Sequence, residues 1–192
     1  MTTVVFGIQG QAVANTSAYE LYCPGSPVGT VVFNDVITTG SLSSSSPKQG
    51  KSFSINNYQT TVPVPEPIVQ ATQALGDTKL TGNIQVTVDV SDATPTGRNE
   101  KATYSTPIPS SVTGPLPVSA PSSAVVVGPF KATGSTIVVS VATSVTMATA
   151  VTAGSPPLKM ECLTYPNGTL KSGITTKKPK GSPVAPIIAK SG

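Results

Sequence analysis

The sequence predicts an all-β protein, a β-sandwich with one short helix. Val and Thr, β-branched residues that favour strands, occur 24 and 27 times in 192 residues. Apolar and polar residues alternate in many short runs, which is the period of a strand that buries one face. The 17 Gly and 19 Pro residues separate these runs, as turns separate the strands of a sandwich.

Length and composition predict the domain organisation. With 38 % hydrophobic residues and a mean hydropathy of +0.11, the chain can form a core rather than remain disordered. We predict three segments: an extended N-terminal segment over residues 1–18, a β-sandwich domain over 19–172 and a Lys/Pro/Gly-rich C-terminal tail over 173–192.

The first strands of the domain follow in order. Residues 19–23 and 28–38 alternate between apolar and polar side chains, and a Pro-Gly-Ser-Pro turn separates them. Residues 40–50 contain a serine run and form a polar loop. Residues 52–56 form the next strand, and the prolines in residues 60–64 predict a strand at a sheet edge.

One helix is predicted over residues 67–75. Pro67 in the first turn and Gly76 just beyond the end are typical of helix boundaries. The predicted inner face of this helix consists of Ile68, Ala71, Thr72 and Leu75.

The second half of the domain continues the strand pattern. Residues 80–90 form the clearest strand, and residues 92–99 are rich in turn formers. Four prolines in residues 103–119 predict extended edge strands or polyproline II structure. The Gly-Pro pair within residues 124–132 predicts a bulge or bend.

The stretch between Lys131 and Lys159 resembles a membrane span, because its 27 residues carry no charge. Ten of them are Ser or Thr, whereas a spanning helix needs about 20 predominantly apolar residues. Alternation over residues 135–141 and 143–151 predicts two strands instead, and we therefore expect no membrane span.

The two cysteines, Cys23 and Cys162, predict a disulfide. Each lies in a strand-like run, the second over residues 158–165, and neither is part of a Cys-x-x-Cys motif. Inward-facing cysteines on terminal strands can meet across the core, and closing a loop of about 140 residues stabilises by about 4–5 kcal/mol. The alternative is two buried free thiols in a cytosolic protein. A disulfide favours an extracellular or cell-surface location.

The composition is typical of secreted proteins, although no signal peptide is predicted. Residues 1–16 have neither a basic start nor a long apolar run, so they do not predict a signal peptide. The chain would then be a mature exported protein, or a virion protein that needs no signal. Asn15 and Asn167 lie in Asn-x-Ser/Thr sequons and are candidate glycosylation sites.

A family resemblance rests on Tyr22-Cys23-Pro24, on the run Glu161-Cys162-Leu163-Thr164-Tyr165-Pro166-Asn167 and on the Thr/Lys/Pro tail. With the strand-rich middle, these segments resemble secreted Thr/Val/Pro-rich immunoglobulin-like β-sandwich domains of actinobacteria, whose function is mostly unassigned. The resemblance spans roughly residues 19–190, and its motifs are short and structural. It implies export and a disulfide between terminal strands, and it transfers no catalytic residue.

Catalytic chemistry has little support. The chain has no His, which removes Ser–His and Cys–His catalysis and His-ligated metals. Ser45 and Lys48 have Ser-x-x-Lys spacing, but they lie in a polar loop in which Lys48 stays solvated. We predict that the protein is not an enzyme and uses no cofactor.

The acidic residues offer one candidate metal site. Asp89 and Asp92 are close in sequence and, with Asn83 and Asp77, could supply oxygen ligands to calcium. Paired acid–base chemistry is a second possibility for Asp89 and Asp92. We favour a third interpretation, an outward-facing strand residue followed by a turn aspartate.

Two further groups of residues bear on partners. Lys177, Lys178 and Lys180 form the only basic cluster of a chain with net charge +4, and without aromatic neighbours they indicate a solvated tail rather than nucleic-acid binding. The tyrosines could form a sugar-binding face or could instead pack beside the disulfide and at strand ends. They are Tyr19, Tyr22, Tyr58, Tyr104 and Tyr165.

These observations predict a non-enzymatic extracellular structural or surface-interaction protein. Only 10 % of the residues are charged, so few charges would lose water when copies pack together. Self-assembly through edge strands or termini is therefore expected, with further copies or a cell-surface polymer as the partner. The alternatives are a carbohydrate or cell-wall-binding module and a virion decoration or appendage protein.

Overall fold

A computed structural model describes residues 13–15, 18–26, 29–44, 47–150, 158–170 and 188–191 of the chain. These residues form eleven strands and one helix, which confirms the prediction of an all-β protein with a short helix. The helix, nine residues long, is too short to cross a membrane. Residues 1–12, Ser45 and the Lys177, Lys178 and Lys180 cluster lie outside the described residues.

The strands are β1 (Val13–Asn15), β2 (Tyr19–Ser26), β3 (Gly29–Leu42), β4 (Ser52–Val64), β5 (Lys79–Val90), β6 (Ala93–Thr94), β7 (Gly97–Pro107), β8 (Leu116–Ala132), β9 (Thr136–Ala150), β10 (Leu158–Pro166) and β11 (Ile188–Ser191). The helix α1 (Glu66–Ala74) lies between β4 and β5.

The described strands form one sheet that nearly closes on itself. Its antiparallel order is β6-β8-β4-β3-β2-β10-β9-β5-β7. The strands β7 and β8 lie side by side, and two hydrogen bonds of 3.1 Å connect them. The Ser105 backbone N–H donates to Ser122 Oγ, and Arg98 Nη2 donates to the Pro129 carbonyl. Eight strands therefore surround one interior, and the two-sheet immunoglobulin-like arrangement stays a prediction.

Three bulges bend the strands that form this closed wall. Asp35 in β3, Asn57 in β4 and Gly128 in β8 have φ angles of 55°, 54° and 142°. Each lies where its strand has one residue more than the neighbouring strand between consecutive register pairs. An extra residue bends and twists a strand, which allows a long sheet to curve toward closure.

Gly128 is required at its bulge for two reasons. Its φ of 142° is a conformation that L side chains rarely adopt. A Cβ there would also lie 2.8 Å from Ser54 Oγ and 3.1 Å from Ser54 Cα, so backbone would have to move. The bulge predicted at the Gly-Pro pair of residues 124–132 is thereby confirmed.

Several predicted boundaries merge into longer strands. Residues 52–56 and 60–64 belong to the single strand β4, and residues 135–141 and 143–151 belong largely to β9. The prediction that residues 60–64 form a sheet edge is wrong, because β4 lies between β3 and β8, and Thr60 and Thr61 pair with both of these strands. Pro63 lies opposite Pro117, a position at which neither residue has an N–H to contribute.

The two ends of the described chain also join the sheet. Within the predicted N-terminal segment, β1 pairs with β3, and within the predicted tail, β11 pairs with β9. The strands β1 and β11 lie close together between β3 and β9.

Candidate ligand-binding cavity

One end of the nearly closed sheet encloses a cavity of about 480 Å³. Its wall comes from the N-terminal ends of β3, β5, β8 and β10 and the C-terminal ends of β4, β7 and β9, which antiparallel pairing brings together. The helix α1 follows β4 at this end and also lines the cavity. The wall includes Val31, Phe33, Val62, Ile84, Met147 and Met160.

The cavity is the part of the interior that the side chains at this end leave unfilled. An eight-stranded closed sheet is just wide enough to be filled by side chains or to hold one small ligand. Aromatic residues make up only 5 % of this chain and Trp is absent. Phe53 and Phe130 stack at the opposite end, with ring centroids 5.6 Å apart. Short residues such as Val118 and Ala120 then leave space at the α1 end.

The chemistry of the lining is almost entirely hydrocarbon. Among the described residues, none of the side chains that line the cavity carries a charge. The only lining hydroxyl groups in this part of the chain belong to Thr30, Thr72 and Tyr104. Thr72 is 4 % exposed, and its Oγ1 donates to the Ile68 carbonyl at 2.8 Å. The cavity is thus suited to an apolar molecule.

The entrance lies beside α1, which forms where the sequence predicts a helix. Pro67 is in its first turn and Gly76 follows with φ 88°, as the pattern of Pro and Gly indicates. Pro67 and Ala71 are exposed, and Leu75, immediately after the helix, is 63 % exposed although it lines the cavity. These three residues form an apolar rim at the entrance.

The C-terminal half of α1 is tethered to the connection between β7 and β8. Gln73 Nε2 donates to the carbonyl oxygens of Pro109 and Ser110, each at 3.1 Å. Val69 and Thr72 are buried on the face of α1 that packs onto the sheet. The helix is therefore held on the sheet from both its buried face and its C-terminal end.

A chain of buried hydroxyl groups runs across the three neighbouring strands β2, β3 and β4. Tyr19 Oη lies 3.0 Å from Thr38 Oγ1, which lies 2.9 Å from Thr60 Oγ1. Burial raises the pKa of Tyr19 to about 12, and the hydroxyls of Thr38 and Thr60 oppose the rise. Burial, then the nearby Tyr19, also raises the pKa of Tyr58, and the hydroxyl of Thr60 opposes the rise.

We expect the free energy of unfolding to fall steeply between pH 10 and 12. Tyr19 ionises near pH 10 in the unfolded chain and near pH 12 in the folded protein. Its contribution to the free energy of unfolding is therefore fully present below pH 10 and is lost as the pH rises to 12. The loss is about 1.4 kcal/mol per pH unit. In denaturant unfolding across this range, the free energy of unfolding should fall less steeply for Tyr19→Phe than for the wild type. Lysine ionisation affects both proteins equally. Parallel loss in the two proteins would show the prediction to be wrong.

The predicted disulfide is present in the wall of the sheet. Cys23 and Cys162 are bonded, fully buried and separated by 139 residues, with Cα atoms 4.1 Å apart. They continue the register in which Tyr22 lies opposite Leu163, so the bond joins the neighbouring strands β2 and β10. The expectation that they meet across the core is wrong, because the core lies to one side of both strands.

The sequence did not single out Glu20, yet this residue is 3 % exposed. Its Oε1 accepts from the Gly168 backbone N–H at 2.9 Å, and its Oε2 accepts from the Leu170 N–H at 2.6 Å. The turn after β10 is thereby held over the outer face of β2 and β10, where Tyr22, Tyr165 and Leu170 pack together. The only sequence signal was a carboxylate between apolar residues in a strand.

Asp77, one of the candidate calcium ligands, lies far from Asp89. Asp77 precedes β5 and Asp89 lies near its C-terminal end, so roughly 30 Å of extended strand separates them. Asp89 and Asp92 are exposed. In the part of the chain that the structure describes, no group of three or more His, Cys, Asp or Glu side chains is placed to hold a metal ion.

The remaining residues that the sequence singled out are the tyrosines, Lys48 and the two sequon asparagines. All five tyrosines are buried, so they form no sugar-binding face on the surface. Lys48 is exposed. Asn167 Nδ2 donates to Asp35 Oδ1 at 3.3 Å, and the Asn167 side chain is exposed in its turn. Asn15 lies in β1, and its side chain is outside what the structure describes.

Comparisons with known proteins add no relationship. Neither protein families nor curated proteins nor solved structures give a match to this chain. The resemblance to secreted actinobacterial domains stays a prediction.

Proposed function

We propose that this protein is a non-enzymatic extracellular binding protein that holds one small apolar molecule in the cavity beside α1. The cavity is the observation that supports this proposal. Its volume of about 480 Å³ lies within the range typical of small-molecule sites, and its lining is apolar with a few hydroxyl groups.

The size of the cavity indicates the size of the ligand. An apolar cavity of about 150 Å³ binds benzene and stays free of water. By that proportion, this cavity has room for roughly 20 non-hydrogen atoms. Water is a poor occupant, since an ordered water molecule needs two to four polar partners. An apolar ligand would instead remove both its own surface and the lining from water, which is favourable.

The disulfide supports the extracellular part of the proposal. Reducing conditions in the cytosol keep most thiols free, whereas disulfides persist in secreted and cell-surface proteins. The Cys23–Cys162 bond is fully buried and contributes to the wall of the sheet that contains the cavity. Met160, two residues before Cys162 on β10, lines the cavity itself.

Titration with a neutral apolar fluorophore such as N-phenyl-1-naphthylamine tests the proposal. We expect saturable binding with one site per chain. Val118→Phe places a ring in the cavity and should weaken binding at least tenfold. Val126→Phe is the matched control, because the same change on β8 falls on a side chain that is 65 % exposed. Folding of each variant is checked by thermal unfolding.

Two results would contradict the proposal. One is the absence of saturable binding by the folded wild-type protein. The other is an equal affinity of wild type and Val118→Phe, which would place the fluorophore elsewhere on the molecule.

Surface interaction is a second candidate, and an observation on β8 favours it. The register between β8 and β4 breaks after Ala120, and beyond it Val125 and Val126 are 38 % and 65 % exposed. An exposed apolar stretch on a strand suits contact with a second copy or a cell-surface polymer. Light scattering of the wild-type sample separates the candidates, since assembly gives species larger than the 19.4 kDa chain.

A further inference from the structure

The charge of the ligand is constrained by where the nearby charged residues lie. Lys79 and Lys159 immediately precede the lining residues Leu80 and Met160 on β5 and β10. Successive strand side chains point to opposite faces, so both lysines point away from the cavity, and both are exposed. A carboxylate or ammonium group enclosed by this lining would lose its water and gain no described charged partner.

Glu66, the acidic residue in the first turn of α1, does not change this constraint. Its Oε1 accepts a hydrogen bond from Gln70 Nε2 at 2.7 Å along the solvent-facing side of the helix. Neither Glu66 nor Gln70 lines the cavity. The lining therefore matches a ligand whose enclosed part is neutral.

Thr72 adds a directional preference. A hydroxyl group has one hydrogen to donate and two lone pairs that accept. The Thr72 hydrogen is used, because Oγ1 donates to the Ile68 carbonyl at 2.8 Å. The oxygen of Thr72, a lining residue, can still accept a hydrogen bond. A matching ligand therefore has an O–H or N–H donor. An ether or a carboxylate only accepts and leaves this oxygen without a partner.

The remaining wall suits a flexible hydrocarbon body. Met147 and Met160 lie directly opposite each other on β9 and β10, and both line the cavity. Methionine side chains are unbranched and adapt to irregular apolar shapes. Beta-branched residues such as Val62 and Ile84 also line this wall, and its other hydroxyl groups are those of Thr30 and Tyr104.

From these observations we propose that the ligand is a neutral molecule with a hydrocarbon body and one hydrogen-bond donor, of the long-chain alcohol class. Its hydroxyl group donates to Thr72 Oγ1, and its chain contacts the methionine pair. This assignment rests on the proposed binding function and specifies the substrate class of the same cavity.

The test compares three ligands of equal chain length on the full chain. The affinities of 1-decanol, decyl methyl ether and decanoate are measured at pH 7 by their displacement of the bound fluorophore. All three molecules are short enough to be enclosed by the cavity. We expect decanol to bind roughly tenfold more tightly than the ether, which is the usual effect of one hydrogen bond. Decanoate should bind at least about 100-fold more weakly than decanol, because its charge would be buried without a partner.

Variants at position 72 tie the preference to this residue. Thr72→Val should remove the advantage of decanol over the ether, and Thr72→Ser should keep it. Thr81→Val is the control, since Thr81 lies on β5 outside the cavity lining. If Thr72→Val does not fold, Thr72→Ser still tests the role of the hydroxyl group, because it should keep the preference for decanol over the ether.

The outcomes separate the two proposals. Equal affinities for decanol, ether and decanoate would overturn the assigned ligand class and leave the binding function intact. An unchanged preference for decanol in a folded Thr72→Val would overturn the role of Thr72. If the wild-type protein binds neither the fluorophore nor any of the three ligands, the proposed function itself is overturned.

Discussion

Replacing both Cys23 and Cys162 by alanine is expected to lower the free energy of unfolding by about 4–5 kcal/mol. The bond spans 139 residues, so its loss releases most of the described chain in the unfolded state. Both cysteines are fully buried, and removing their sulfur atoms also leaves space between β2 and β10. A loss of this size approaches the whole stability of a typical domain.

Denaturant unfolding of the wild type and the double variant measures this loss. The wild type unfolded with a reductant present should approach the stability of the double variant, which provides an independent control. We also expect weaker fluorophore binding, because Met160 lines the cavity two residues from Cys162. A loss below about 1 kcal/mol would mean that strand pairing alone holds β2 and β10 together.

The second large effect is expected for Phe130→Ala, at about 3–5 kcal/mol. Phe130 is 1 % exposed and stacks on Phe53 with ring centroids 5.6 Å apart. The Arg98 guanidinium carbon lies 5.6 Å from the Phe130 ring centroid, and Arg98 also donates to the Pro129 carbonyl. The substitution therefore opens both the core and the junction between β7 and β8.

Thermal and denaturant unfolding check this prediction, with Phe130→Leu as the control. Leucine keeps the site apolar and fills more of it than alanine, so it should cost clearly less. Combining Phe130→Ala with Arg98→Ala measures the interaction across the junction, for which we expect about 0.5–1 kcal/mol. If Phe130→Ala costs less than about 1 kcal/mol, the packing at this end contributes little to closure.

The two ends of the sheet thus have different properties. At one end Phe53 and Phe130 fill the interior, and Arg98 joins β7 to β8. At the other end the wall residues and α1 border an unfilled space. Fluorophore binding should therefore respond to changes at the α1 end, whereas changes at the aromatic end should act chiefly on stability.

Local features of this protein were predictable from the sequence because they depend on neighbours along the chain. Period-two alternation predicted the strand at residues 80–90, and Pro67 with Gly76 predicted the helix. The Gly-Pro pair at Gly128 predicted a bulge. Pairing of the two cysteines was also predictable, because they are the only two in the chain and each lies in a strand-like run.

Only the tertiary structure decided which strands are neighbours and what they enclose. Alternation indicates that a strand has one buried face, but it does not identify the partner strands. Residues 60–64 were therefore placed at an edge, although β4 lies between β3 and β8. Glu20 is buried because a turn about 150 residues away in sequence covers it. The cavity depends on the closure of eight strands and on the summed volume of side chains from seven of them and α1. Those contributions come from distant parts of the chain, and no local pattern contains their sum.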